Sequence, residues 1–124
     1  MYARAAGSYK KVSIDSATPE RVLDEVFVRF ARDCTQARAC IASNDPVTGR
    51  AHLAHALELL WALRGALDRQ AAPEVCDNLA LLYQFARERL LEATVKMQPE
   101  PILEAESILS GIQSGFAEAR VRSA

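Results

Sequence analysis

Thr18-Pro19-Glu20-Arg21-Val22-Leu23-Asp24-Glu25-Val26-Phe27-Val28-Arg29-Phe30 is the stretch on which the fold of this chain turns. Thr18 suits an N-cap, and Pro19 suits the first helical position, where its missing N–H has no partner to lose. Beyond them Leu23, Val26, Phe27, Phe30, Cys34, Ala37 and Ile41 recur at spacings of three and four. That period is a helix with one apolar face, and it predicts a first helix from Pro19 to about residue 42. The turn formers Ser43-Asn44-Asp45-Pro46-Val47-Thr48-Gly49 are expected to end it.

Three more stripes follow. Leu53, Ala56, Leu57, Leu60, Leu63 and Leu67 predict a second helix stopping between Asp68 and Ala72. Pro73 with Glu74 opens a third, whose core stripe reads Val75, Leu79, Leu82, Ala86, Leu90 and Ala93. Pro99-Glu100-Pro101 reads as a break, since neither proline suits a helix interior. Ile102, Ala105, Ile108, Leu109, Ile112, Phe116 and Ala119 then mark a fourth helix. Four helices joined by short turns predict an all-α fold, an antiparallel up-down-up-down four-helix bundle. Each needs its neighbours to bury its stripe, so residues 1–124 are read as a single domain.

Ahead of the helices, Tyr9-Lys10-Lys11-Val12-Ser13-Ile14-Asp15-Ser16-Ala17 alternates apolar and polar residues with no helical period. Alternation at two residues suits an extended segment with one covered face. An all-helical chain has no sheet to receive it. Residues 1–17 are therefore expected to lie in a groove on the helices, with Tyr9, Val12 and Ile14 covering apolar surface. A short segment held this way can be displaced by another occupant.

Composition narrows the functional classes. The 124 residues are 50% hydrophobic and 25% charged, ordinary for a soluble domain with a real core. Lys and Arg number 15 against 16 Asp and Glu, which argues against a nucleic-acid or anionic-membrane partner. No apolar run approaches the roughly 20 residues of a membrane span. Arg4, Lys10 and Lys11 interrupt any signal-peptide core. Cys34, Cys40 and Cys76 lack C-x-x-C spacing and read as free thiols, so a cytoplasmic location is expected.

Catalytic constellations are sparse. His52-x-x-His55 with Glu58 resembles a metal site, but both histidines fall on the polar side of the second helix. A di-iron bundle needs inward Glu-x-x-His pairs, and none occurs. The histidines therefore read as solvated, and Asp24, Glu25 and Asp33 as the solvated edge of the first stripe. No Gly-rich phosphate loop, Gly-x-Ser-x-Gly elbow or Cys-His nucleophile pair is present. The expectation is no enzyme, no metal and no cofactor.

Apolar surface, by contrast, exceeds what four core stripes require. Leu59 and Trp61 widen the second stripe at opposite margins. Leu81 and Phe85 share a flank of the third helix, and Val28 and Leu103 project from polar sides. Ser110, Gly111, Ser114 and Gly115 cluster on the face of the fourth helix opposite its core stripe. Such a surplus fits either a binding surface or a homodimer interface.

Several of these segments, taken in order, resemble the FliS family of flagellar secretion chaperones. The segments are Met1-Tyr2, Tyr9-x-x-Val12-x-Ile14-x-Ser16-Ala17-Thr18-Pro19, Leu59-Leu60-x-x-Leu63-x-x-x-Leu67-Asp68 and Asn78-Leu79-x-x-Leu82-Tyr83-x-Phe85-x-x-x-Arg89-Leu90-Leu91-x-Ala93. Glu104-Ala105-Glu106-x-Ile108-Leu109 with Phe116 completes the set. The resemblance implies a non-enzymatic bundle that holds the disordered C-terminal segment of flagellin, prevents early polymerisation and delivers it to a flagellar export-gate protein. Together with the surplus apolar surface it marks Tyr9, Val12, Ile14, Val26, Phe27, Leu59, Trp61, Leu81, Tyr83 and Phe85 as cargo contacts. Departures stand out in the first helix, where Asp24 and Glu25 replace apolar residues of the family pattern and Arg29 a glycine. Trp61 stands where the family is commonly polar. A different exported substrate is the alternative these departures raise.

Overall fold

The computed structural model describes residues 19–123 of the chain. Four helices account for nearly all of them: α1 (Pro19–Ala42), α2 (Pro46–Gly65), α3 (Pro73–Lys96) and α4 (Pro99–Ser123). No strand occurs among the described residues. The Thr18 cap and the Tyr9, Val12 and Ile14 segment lie outside them.

Helix α1 packs on α2 and α4, and α3 packs on the same two, so the four surround one core. Phe27 of α1 meets Phe116 of α4 edge to face, with centroids 5.9 Å apart. Arg50 near the start of α2 donates through Nε to the Thr94 carbonyl near the end of α3. Start-to-end pairings of this kind are those made by neighbours that run in opposite directions. Leu53, Leu60, Leu90, Ile102 and Phe30 sit at the centre, each essentially inaccessible. Every one of them belongs to a stripe expected from spacing alone.

All four helices begin with proline, and this corrects two expectations. Ser43 to Gly49 is not a continuous turn: α2 starts at Pro46, with Asp45 as its N-cap. The Asp45 carboxylate accepts from the Thr48 backbone N–H at 3.3 Å. Gly49 then falls inside the first turns, buried where α2 meets the end of α1. A Cβ there would lie 3.2 Å from Cys40 Cβ and 3.1 Å from Met97 Cε, so the glycine permits a close approach. Likewise Pro99-Glu100-Pro101 does not break a helix but begins one. The first turn has no intrahelical partner for its N–H groups, so prolines there forfeit nothing. The break itself sits at Met97, which takes a left-handed conformation (φ 51°) and caps α3 through its N–H to the Ala93 carbonyl.

Helix α2 also stops at Gly65, earlier than its stripe implied, and Leu67 is buried from the following turn. In α3 the stripe holds at Leu79, Ala86, Leu90 and Ala93 and departs from expectation at Val75 and Leu82, whose neighbours Cys76 and Tyr83 are buried instead. Leu82 is 42% exposed, whereas Tyr83 is 1% exposed. Cys76, Ala80, Tyr83, Ala86, Leu90 and Ala93 form the buried row, at alternating three- and four-residue steps with one exception. Positions 82 and 83 both satisfy the spacing from Leu79, and hydropathy alone favours leucine. The centre of the bundle instead accepts the larger ring.

Candidate functional site

Small and apolar residues of α1 and α4 leave an open groove of about 400 Å³ between these two helices. Phe27, Phe30 and Leu109 give it an apolar floor, and Leu103 stands half-exposed at its wall. Ser107 and Ser110 continue the same wall along α4, with side chains too short to fill the space. Glu106 also lines it. Its carboxylate accepts from Arg38 Nε at 2.6 Å and Nη2 at 3.1 Å, a bidentate fork between α1 and α4. That hydrogen bond raises the Arg38 pKa above its ordinary value. Close by, burial drives the Cys34 thiol far up, with the Glu106 and Asp33 charges adding to it, so Cys34 is inert packing.

The sequence-expected contacts distribute unevenly around this groove. Phe27 contributes to its floor, while Val26 beside it is half-buried against the core. Leu59 is likewise half-buried and packed inward. Tyr83 is a core residue, 1% exposed, and does not line this groove. Leu81 and Phe85 do project from α3, on the face away from its buried row, and Phe85 is 51% exposed. Arg89 places its guanidinium 5.7 Å from the Phe85 ring centre, a cation–π contact that steadies the exposed ring. Trp61 projects from the end of α2, three-quarters exposed.

Sequence reasoning missed the groove. Ser110 belongs to the small-residue face read on α4, and Leu103 was already out of place on a polar side. Only the position of α1 turns those into the wall of a cleft. Reasoning from α2 alone also misplaced the histidines. Asp33 of α1 is only 7% exposed and lies between the two imidazoles. Its Oδ1 is 3.5 Å from His52 Nδ1, and its Oδ2 pairs with His55 Nδ1. The two histidines thus reach α1 through the buried Asp33, a clasp between the helices, while His55 itself stays half-exposed. Among the described residues, no group of three or more His, Cys, Asp and Glu side chains is arranged to hold a metal ion. Nor is any described helix long and apolar enough to cross a membrane.

The class these features define is an all-helical bundle with an open apolar groove on its surface. Sequence comparison narrows it. The family described as flagellar protein FliS matches residues 1–123, and the chain belongs to that family. The flagellar secretion chaperone FliS of Salmonella typhimurium is 27% identical over 116 residues, covering 90% of this chain and 86% of that protein. The protein of the same name from Vibrio cholerae is 28% identical over 114 residues, with 88% and 83% covered. Flagellar secretion chaperone FliSB of Pseudomonas aeruginosa is 27% identical over 121 residues, covering 94% and 96%. The family is one of chaperones, not enzymes.

Proposed function

We propose that this chain is a cytoplasmic export chaperone that binds the disordered C-terminal region of flagellin. It holds the segment until a flagellar export-gate protein receives it, and so prevents premature polymerisation. The observation that carries this reading is the open α1/α4 groove, where the half-exposed Leu103 stands over a floor of Phe27, Phe30 and Leu109 within a partly polar margin. An amphipathic helix laid there buries its i, i+3, i+4 side chains, and ordering of the cargo offsets part of that gain. The expected extended segment at residues 1–17 would occupy apolar surface in the free protein and yield it to cargo. The exposed Leu81 and Phe85 of α3 extend the apolar surface available to a segment long enough to wrap the bundle.

Titration calorimetry with a flagellin C-terminal peptide is the test. Micromolar or tighter binding with a negative heat-capacity change is expected, because apolar area leaves water. A folded bundle that gives no heat with the peptide overturns the reading. A second reading keeps the chaperone but changes the cargo to another exported protein, and one feature favours it. Glu25 and Arg29, two of the positions that depart from the family pattern, form an exposed ion pair on α1 (2.9 Å). Recovery of a different secreted protein by pull-down from the native cell, with flagellin absent, decides for this alternative.

A further inference from the structure

Helix α2 ends on a feature that shares no residue with the α1/α4 groove. Trp61, Arg64, Gly65 and Arg69 line an open bay of about 410 Å³. Trp61 is the chain's single tryptophan and is 75% exposed. On a helix, residues four apart are neighbours, so Gly65 leaves the flank of the indole bare. The fold has no need of glycine at this place. A Cβ on residue 65 would meet nothing within 4 Å, and the described glycines include none with positive φ. Gly65 is the last residue of α2, and its missing side chain is what leaves the bay open beside Trp61.

The charge of the lining is one-sided. Among the described residues, Arg64 forms no ion pair and no acidic residue lines the bay. Arg69 pairs with Asp77 across the α2–α3 turn, but both are exposed, and such a pair exchanges readily for another carboxylate. At the helix end the Ala62 and Arg64 carbonyls accept from the Ala66 and Leu67 N–H groups, so two of the last four carbonyls are already paired.

We infer that this bay is a docking site for an acidic segment of a partner protein, with carboxylates on Arg64 and Arg69 and an apolar side chain against Trp61 above Gly65. Guanidinium forks match carboxylates in geometry, and an indole is the commonest kind of anchor at protein interfaces. A polyanion is a poor fit: two arginines on a chain of net charge −1 give too few phosphate contacts. A second copy is also a poor fit, because a two-fold contact here would set Arg64 against its own counterpart.

Trp61 reports on its own site. Its fluorescence should shift to the blue and saturate when a short synthetic peptide of glutamate and leucine is titrated in, and not with the lysine-for-glutamate peptide. Arg64→Glu should weaken that binding by roughly tenfold or more, and added salt should weaken it too. Gly65→Leu should abolish it while leaving thermal stability unchanged or higher, which separates a filled bay from a damaged fold. No fluorescence response, an equal response to the lysine peptide, or indifference to Arg64→Glu overturns the inference. So does a dimer that forms through Trp61 in sedimentation.

Discussion

Small residues do opposite things on the two sides of α1. Toward α2, Gly49 draws backbones together until its missing Cβ would lie 3.2 Å from Cys40 Cβ. Toward α4, Ser107 and Ser110 leave an open groove. Gly111, next along α4, meets nothing within 4 Å of an added Cβ. A small residue therefore marks either a tight seam or an unfilled one, and the difference lies in whether a neighbouring side chain moves in. At the tight seam Met97, turned by its left-handed backbone, reaches over Gly49. At the open seam the Arg38–Glu106 fork bridges the helices, with Glu106 lining the groove.

The comparison breaks most sharply at the tight seam. Gly49→Leu has no room, and overpacking of this kind should destabilise the bundle by about 3 kcal/mol or more, read by chemical denaturation. Retained stability would mean that the seam is not closed. At the open seam a larger change should be tolerated. Ser110→Trp is expected to leave the melting temperature in place and weaken flagellin-peptide binding by about tenfold or more, roughly 1.4 kcal/mol. Unchanged affinity would remove the groove from the cargo site. Smaller again is the clasp: Asp33→Asn should lower stability by about 1 kcal/mol, because it replaces the charged partner of His55, with His52 close by, by a neutral one. Parity with the parent would show the clasp to be incidental. The smallest effect, and of opposite sign, belongs to Gly111→Ala, which should stabilise α4 by up to about 1 kcal/mol because nothing obstructs the methyl group. A loss of stability there would place an unseen neighbour against α4.

Periodicity revealed the helices and most of the core because both follow from local geometry. Leu53, Leu60, Leu90 and Ile102 are buried as their spacing required. Where two neighbours competed for one place, as Leu82 and Tyr83 did, spacing was neutral and hydropathy pointed the wrong way. Proline carried a correct signal read in the wrong sense, since Pro46, Pro99 and Pro101 all sit in first turns. The candidate site was less legible. Trp61, Leu81 and Phe85 could be recognised as surplus to the core, because a residue outside a stripe is visible on one helix alone.

A single helix cannot disclose what faces it. The His52–Asp33–His55 clasp, the Gly49 seam and the α1/α4 groove each join residues far apart in the chain, and each depends on how two helices are rotated about their own axes. The chain by itself determined four amphipathic helices and the apolar excess on their outsides, both consequences of a 3.6-residue turn and of backbone propensity. Tertiary structure alone decided which small residues close a seam and which leave a cleft, because packing answers to the shape of the space between helices and not to the order of residues along them.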